Sequence, residues 1–290
     1  MSEFHYHGRP IGIPIVGVGT QPVEEGDEQF NFTGSPGAMP TYHPPILPEP
    51  EEIENLVAAK ALLKQVQQGL AAYQAGTPAL VFDLSGLDAS NLDLVNQVLN
   101  EGEVSVVYNA VPRVQIQESV LTGVWRVRTY DAQQVLVSDV IEVGDIPSIV
   151  REKTFAFATP LDTDLTQLPQ GVINAPALIT EVAEQSQAWQ QGSLAHVINL
   201  SLLPLSPQDL AFLGERLGVG EITILSRGYG NCRIGSTQKH NVWWVKFYNS
   251  DDALILNTIE VVDVPEVARA AQEDLDDSAV RLAEILEIYQ

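Results

Sequence analysis

Apolar residues recur at every third or fourth position in several stretches of the chain, and each such stretch predicts an amphipathic helix. The first covers 51–75, where Pro50 and the acidic residues after it favour a helix start. Asp145 and Pro147 open a further helix, and a long final helix is predicted to begin near Pro265. The remaining predicted helices cover 91–100, 176–191 and 207–217.

Stretches that alternate apolar and polar residues predict strands. The turns DAQQ and NSDD each separate two such stretches, which predicts two β-hairpins. Each half of the chain then reads as helix, strand, helix, a group of strands and a helix, which is the order of an α+β unit. The predicted strands cover 79–84, 102–107, 124–130, 135–143, 196–203, 221–226, 242–248 and 253–262.

One long segment of the sequence occurs twice. Residues 102–151 align without a gap on residues 220–269, which lie 118 positions later, and 14 of the 50 aligned positions are identical. Shared apolar spacing at a fixed period is typical of a duplicated structural unit. The predicted fold class is therefore α+β, a tandem duplication of an α/β sandwich unit with a mainly antiparallel sheet, covering helices and a pseudo-two-fold relation. The predicted domains are an N-terminal arm at 1–50, a first repeat at 51–160 and a second repeat at 161–290.

The N-terminal arm shows neither a helical nor a strand period. It holds nine of the 18 prolines and the acidic residues Glu24, Glu25, Asp27 and Glu28. Because this composition cannot bury a core of its own, we expect an extended strap or a partly disordered tail.

Composition and charge narrow the function classes. The chain has 290 residues and a net charge of -23, which disfavours binding to nucleic acid or anionic lipid and favours either basic partners or simply solubility. It has no apolar run of about 18 residues and no recognisable signal peptide, so we predict a cytoplasmic protein without membrane insertion. The single cysteine and five scattered histidines predict no disulfide and no metal centre.

The two copies of the repeat act as controls on each other. RGYGNCR at 227–233 aligns with NAVPRVQ at 109–115, which lacks both glycines, the cysteine and both cations at the matching positions. A binding loop specialised in the second copy is one interpretation, and an ordinary glycine turn is the other. A phosphate-binding loop is a weaker third option, since the fingerprint of a nucleotide-binding loop is incomplete. The candidate partner-binding residues are Arg227, Gly228, Tyr229, Gly230, Asn231, Cys232, Arg233 and Trp244.

The hairpin strands have two distinct faces. Trp125, Val127, Trp243, Val245 and Phe247 share one face and are predicted to be core. On the other face, an ion pair with Asp139 directly across the hairpin would explain Arg126. Trp244 aligns with Arg126 and has no such partner, so the sequence predicts a partner surface there.

Long stretches of the chain resemble a known family. ILSRGYGNCRI, VWWVKFYNSDDALILNTIEVVDVPEVARAAQEDLDDS and the N-terminal TYHPPILPEPEE closely resemble the hydrogenase expression/formation proteins of the HupH/HyaF type. The resemblance implies a cytoplasmic, non-enzymatic accessory protein without a cofactor of its own that acts in nickel-iron hydrogenase maturation. The implied partners are the iron-sulfur small-subunit precursor, which bears a twin-arginine export signal, and a thioredoxin-like maturation protein.

Two classes of function remain open from the sequence. The first is an assembly chaperone that holds the small-subunit precursor until it is ready for assembly and export. The second is a thiol-dependent factor that uses Cys232 in iron-sulfur cluster handling, although no base lies beside this cysteine in sequence. A scaffold that bridges other maturation proteins is a third possibility.

Overall fold

A computed structural model describes residues 48–49, 53–227 and 231–289. The arm predicted over 1–50 lies outside the described residues except for Pro48 and Glu49. In the rest of the chain, the predicted order of elements is confirmed in both halves.

The first half contains α1 (Val57–Ala72), β1 (Leu80–Asp83), α2 (Ala89–Leu99), β2 (Val104–Tyr108), β3 (Arg113–Glu118), β4 (Val124–Tyr130), β5 (Leu136–Val143) and α3 (Ser148–Lys153). The second half contains α4 (Ala175–Ala188), β6 (His196–Asn199), α5 (Pro207–Leu217), β7 (Ile222–Ser226), β8 (Asn231–Ser236), β9 (Val242–Tyr248), β10 (Leu254–Val261) and α6 (Gln272–Ile288). Short 3-10 turns lie at Leu200–Leu202 and Glu266–Ala268.

All ten strands form one antiparallel sheet in the order β1-β5-β4-β3-β2-β7-β8-β9-β10-β6. Equivalent strands follow one another in the same order from either edge: β1-β5-β4-β3-β2 in the first half and β6-β10-β9-β8-β7 in the second. The two halves join where β2 pairs with β7. β7 to β10 begin and end 118 positions after β2 to β5, which is the period of the sequence repeat. The α+β fold class is thereby confirmed.

Apolar residues of both halves form one core on the first face of the sheet, which we call the shared-core face. Trp125, Val127, Trp243 and Val245 lie in this core and Phe247 packs against it, as predicted. Val150 of α3 and Ala268 of the second 3-10 turn cover it from corresponding positions of the two halves.

The opposite face, which we call the divided face, carries two separate groups of helices. α1, α2 and α6 cover apolar residues of β4 and β5, whereas α4 and α5 cover apolar residues of β9 and β10. α6 belongs to the second half in sequence, yet its Leu275 and Leu282 lie in the core of the first. Leu161 and Leu165, which follow α3, pack on the core of the second half. α6 of the second half therefore crosses to the first, and the segment that follows α3 crosses to the second half; the predicted domain boundary at 160/161 stays a prediction.

A buried carboxylate joins the two halves. Asp145 Oδ2 accepts hydrogen bonds from Arg151 Nη2 at 2.7 Å and from Arg269 Nε at 2.9 Å, and Tyr73 Oη donates to Oδ1 at 2.9 Å. Arg151 also reaches Asp263 Oδ2 at 2.9 Å. Burial by itself would raise the pKa of Asp145, but Arg151, Arg269 and Tyr73 hold it below its usual range.

Three local predictions need correction. The final helix begins at Gln272 rather than near Pro265, because Arg269 has an extended backbone and its side chain is bonded to Asp145. The strand predicted over 196–203 ends at Asn199, whose side chain accepts from Ser201 N and opens a 3-10 turn. Arg128, not Arg126, is directly opposite Asp139, because Tyr130 pairs with Leu136 rather than Val135 and the register shifts again between Thr129 and Tyr130.

Candidate functional site

The predicted partner-binding residues divide between the two faces of the sheet. Arg233 is directly opposite Lys246 on β9 and Leu225 on β7, and cross-strand neighbours share a face. Trp244 follows the same alternation, so Arg233, Trp244 and Lys246 lie on the divided face. Cys232 lies on the shared-core face, and Gly228, Tyr229 and Gly230 lie outside the described residues.

The middle of the divided face lies between the two groups of helices, and we call it the central strip. It consists of the residues of β2, β3, β7 and β8 that point away from the shared core. Val107 and Leu225 form its apolar centre, while Gln115, Gln117 and Arg233 are half-buried around them. In the described part of the chain, the apolar cluster of Val107 and Leu225 includes no residue of any helix. The strip is thus a β surface between two helical walls.

Cations are concentrated at the central strip. Of the 15 lysines and arginines in this acidic chain, six lie on these strands, on the adjoining strands β4 and β9, or immediately after β7. They are Arg113, Arg126, Arg128, Arg227, Arg233 and Lys246. Asp139 binds Arg126 and also lies 3.7 Å from Arg128 Nε, so the predicted ion pair of Arg126 is confirmed in spite of the shifted register. The strip is therefore a local basic surface on a protein of net charge -23.

Arg227 lies at one end of the strip. Its backbone N–H donates to Glu103 O at 3.1 Å, which continues the pairing of β7 with β2 by one residue. Burial lowers the pKa of the Arg227 guanidinium, and the charge of Glu101 opposes this effect. Because arginine stays protonated in proteins, Arg227 contributes a partly desolvated positive charge.

Trp244 is half-buried at the second helical wall. Its Nε1 donates to Asn257 Oδ1 at 2.5 Å, and Lys246 Nζ lies 5.5 Å from the centroid of its ring. Gly214 of α5 lies beside the ring, and a Cβ there would be in ordinary van der Waals contact with Trp244 Cζ3 at 3.9 Å. Trp244 is anchored rather than freely exposed, and its role as a partner contact stays a prediction.

Cys232 and Asn231 are held within the fold. Burial raises the pKa of the Cys232 thiol to about 12, and the charge of Glu260 acts in the same direction. The thiol is therefore protonated and 2% exposed, the reverse of the environment of a reactive cysteine. Asn231 Nδ2 donates to Asp252 Oδ1 at 3.3 Å, at the turn of the second hairpin.

A second concave region was not predicted from the sequence. A cavity of about 470 Å³ lies between the segment after α3 and α4, with Lys239 and His240 in its lining. Lys239 Nζ donates to Thr159 Oγ1 at 2.8 Å and to Pro160 O at 3.2 Å, which fixes the crossing segment to the second half. No local pattern marks Lys239, because its partners are about 80 residues away in the sequence.

The described residues contain neither a metal-binding cluster nor a membrane-spanning helix. Across 48–49, 53–227 and 231–289, no group of three or more His, Cys, Asp or Glu side chains is placed to hold a metal ion. None of the helices described above combines the length and apolar character needed to cross a bilayer.

Comparisons with known proteins give one consistent family. The family model described as "HupH hydrogenase expression protein, C-terminal conserved region" matches twice, at residues 56–162 and 172–289. The chain is 44% identical over 277 residues to the hydrogenase expression/formation protein HoxQ of Cupriavidus necator, covering 96% of each chain. It is 45% identical over 283 residues to HupH of Rhodobacter capsulatus, covering 98% of each. It is 31% identical over 288 residues to the hydrogenase-1 operon protein HyaF of Escherichia coli, covering 98% of this chain and 96% of that one.

Proposed function

The chain belongs to the HupH/HoxQ/HyaF family of hydrogenase expression/formation proteins, and from this premise we propose that it is a non-enzymatic assembly chaperone. Its client is the iron-sulfur small-subunit precursor of a nickel-iron hydrogenase. It holds this precursor in the cytoplasm until assembly and export, beside a thioredoxin-like maturation protein.

The central strip is the observation that carries the proposal. It places Arg233 and Lys246 beside the half-buried Trp244 and an apolar centre, between helical walls. Arg233, Trp244 and Lys246 keep part of their side chains accessible over the buried Val107 and Leu225, and aromatic and arginine side chains are typical of binding surfaces. An extended polypeptide segment could lie along such a β surface and place its acidic or polar groups against the cations.

The buried thiol argues against the alternative of a thiol-dependent factor. Since the pKa of Cys232 is raised to about 12, almost no thiolate exists near neutral pH. Cys232→Ser is expected to leave hydrogenase maturation unchanged, whereas loss of maturation with an intact fold would favour the thiol role.

The outer surface of α6 is a candidate for contact with the export signal. Its acidic residues are exposed, and a segment with two arginines would be attracted to them. Precursor capture that does not change when the signal is deleted would contradict this part of the proposal. The exposed acids of α6 are Glu273, Asp274, Asp276, Asp277, Glu284 and Glu287.

The main test is capture of the small-subunit precursor by the tagged full chain. Arg233→Glu combined with Lys246→Glu should reduce the captured precursor about tenfold, because two attractive charges become repulsive. Lys60→Glu combined with Lys64→Glu, on α1, makes the same change in net charge away from the strip and should leave capture of a signal-deleted precursor intact, since these lysines lie beside Glu287 of α6. Equal capture by both variants would refute a role for the strip. If capture requires a third protein in the mixture, the scaffold function is favoured instead.

We also propose that the two halves arose by duplication of one unit. The two family matches at 56–162 and 172–289, and the strand bounds that differ by 118 positions, support this origin. The pseudo-two-fold relation would then pass through the β2–β7 pair at the middle of the sheet.

A further inference from the structure

The cavity between α4 and the segment that follows α3 has the size and the lining of a small-molecule site. Its volume of about 470 Å³ is in the range of ligand pockets, which are mostly apolar with a few polar groups. Within the described residues, the lining contains one lysine, Lys239, and no arginine. Six further lining residues are apolar: Phe155, Ala158, Pro160, Leu161, Ala183 and Val242.

The equivalent place in the first half of the chain is filled. Leu275 of α6 packs so closely on Gly123 that a Cβ at Gly123 would overlap it. Gly123 corresponds to Asn241, which lies in the loop beside the cavity, and both have a positive φ. When the offset of 118 positions is continued past the repeat, Leu275 corresponds to Phe157, which is 72% exposed. The residue that closes the first half therefore has its counterpart in solvent, and the cavity stays open in the second half.

The lysine of this cavity also replaces an apolar residue of the first half. Leu121, which lies 118 positions before Lys239, is 2% exposed and belongs to the first-half core. Lys239 is 8% exposed, and a buried cation is costly unless a negative charge lies near it. Since the first half forms the same loop with a leucine, the fold itself does not require the lysine.

The hydrogen-bond acceptors that the described residues give to Lys239 Nζ are uncharged. They are Thr159 Oγ1 and Pro160 O, and an ammonium group has three N–H donors. Burial lowers the pKa of Lys239, and the charge of Asp162 opposes this effect. The ion pair of Asp162, however, is with Arg216. A carboxylate bound in the cavity would give Lys239 both a third acceptor and a compensating charge.

The wall around Lys239 is held in place by contacts of its own. Ser186 Oγ of α4 donates to His240 O at 2.8 Å. The ring of His240 lies 5.7 Å from that of Phe155 and 6.2 Å from that of Trp189, measured between ring centroids. A wall that is already ordered lowers the cost of binding a ligand.

We propose that this cavity binds a monocarboxylate with a compact apolar body. The carboxylate meets Lys239, and the apolar part fills the space between α4 and the segment that follows α3. One lysine in a mostly apolar lining favours a single negative charge, and a net charge of -23 disfavours polyanions such as phosphate. This chemistry occurs in free apolar acids and at the C-terminus of a polypeptide that ends in an apolar residue. The described residues of the lining are separate from the central strip, so the site does not rest on the proposed function.

The first experiment titrates the full chain, labelled with nitrogen-15 in its histidines, with isovalerate and follows the ring signals by NMR. The signals of His240 should shift, and those of His196 on β6 should not. Isovaleramide has the same shape without the charge and should bind at least about tenfold more weakly. Inorganic phosphate should also bind more weakly. Equal affinity for the acid and the amide, tighter binding of phosphate, or an unchanged His240 signal would overturn the proposal.

The second experiment replaces the lysine by the residue of the first half. Lys239→Leu should weaken isovalerate binding at least about tenfold and leave isovaleramide binding unchanged, which a purely structural lysine would not do. Lys64→Leu, on α1 in the first half, makes the same chemical change away from the cavity and should leave both affinities unchanged. Urea unfolding of each variant checks that its fold is retained. Unchanged affinity for isovalerate in Lys239→Leu would contradict the site.

A variant that keeps the lysine gives an independent test. Ala183→Leu adds volume inside the cavity and should weaken the binding of both isovalerate and isovaleramide. Ala188→Leu, at the exposed end of the same helix, is the matched control. Equal affinities for these two variants would place the ligand elsewhere and overturn the proposal.

The source of the carboxylate is distinguished with a tetrapeptide that ends in valine. Tighter binding of this peptide than of isovalerate, lost when its C-terminus is amidated, assigns the site to a polypeptide C-terminus. Tighter binding of isovalerate assigns it to a free acid, and both results support a carboxylate site. A chain that captures the precursor but binds no carboxylate refutes this site alone, whereas carboxylate binding without capture refutes the proposed function alone.

Discussion

Glu118, the last residue of β3, is a buried carboxyl group with a single described hydrogen bond to its side chain. Gly123 N donates to its Oε1 at 3.2 Å. Burial raises the pKa of Glu118 to about 8, although the Gly123 bond acts in the opposite direction, and the charges of Glu103 and Asp274 add to the rise. The carboxyl group is therefore mostly neutral at pH 7 in the folded protein.

The raised pKa of Glu118 makes the stability of the folded protein depend on pH, and it fixes the direction of that dependence. A raised pKa in the folded state stabilises the protein below the unfolded pKa, and this stabilisation is lost as the pH rises through about 8. Between pH 5 and 9, Glu118→Gln should lose about 2–4 kcal/mol less stability than the unmodified protein, because glutamine keeps an acceptor and does not titrate. Urea unfolding at both pH values measures the difference. Glu284→Gln, at an exposed position of α6, is the control, and parallel pH profiles for all three proteins would contradict the assignment.

At the scale of elements, the local sequence pattern predicts the boundary of a helix correctly wherever the residues that cause the boundary are neighbours in the sequence. The helix predicted over 207–217 is found as α5 (Pro207–Leu217), because Ser206 and Asp209 form a reciprocal cap at its start. The last helix was misplaced because Arg269 binds Asp145, 124 residues earlier, and holds the backbone extended. A tertiary contact of this kind leaves no trace in the local period.

The glycines shared by the two repeats, Gly102 and Gly220, have a steric explanation. Gly102 N donates to Glu118 O at 2.7 Å, so the start of β2 lies against the end of β3. A Cβ at Gly102 would overlap the carbonyl oxygen of Ser119, and one at Gly220 would lie 2.6 Å from Thr237 O. Both repeats thus require close approach of two backbones at the same point.

Gly102→Ala should therefore destabilise the protein by about 2–4 kcal/mol, because a backbone atom cannot move as freely as a side chain. Gly86→Ala is the matched control, since a Cβ there meets no atom within 4 Å. Its effect should stay within about 1 kcal/mol. Chemical unfolding of both variants provides the measurement, and a small loss for Gly102→Ala would show that the strand start can shift.

At the scale of the whole molecule, the candidate site depends on how the halves join. Alternation along the hairpin predicted that Arg126 and Trp244 share the face opposite to the core, and the strand register confirms it. The pairing of β2 with β7 could not be predicted, because no local pattern specifies which strands meet across 118 residues. That pairing creates the central strip and brings Arg233 close to the first-half strands.

The Asp145 cluster tests whether the two halves act as one cooperative unit. Asp145 and Asp263 are equivalent in the repeat, yet the side chain of Asp145 is 1% exposed and that of Asp263 is 52% exposed. Asp145→Asn removes the charge that two arginines from different halves share, and should lower the free energy of unfolding by about 2–4 kcal/mol. Asp263→Asn removes only a surface ion pair and should lower it by less than about 1 kcal/mol.

Two spectroscopic probes should report the loss of stability of the Asp145→Asn variant at the same urea concentration. Tryptophan fluorescence follows the shared core, which contains Trp125 and Trp243, together with the second-half core, on which Trp189 and Trp244 pack. Far-ultraviolet circular dichroism follows the helices of both halves. Because α6 of the second half completes the first-half core, unfolding of either half exposes apolar surface of the other. Coincident transitions at a lower urea concentration are therefore expected for Asp145→Asn. Two separate transitions would mean that the shared sheet and the crossed segments do not couple the halves.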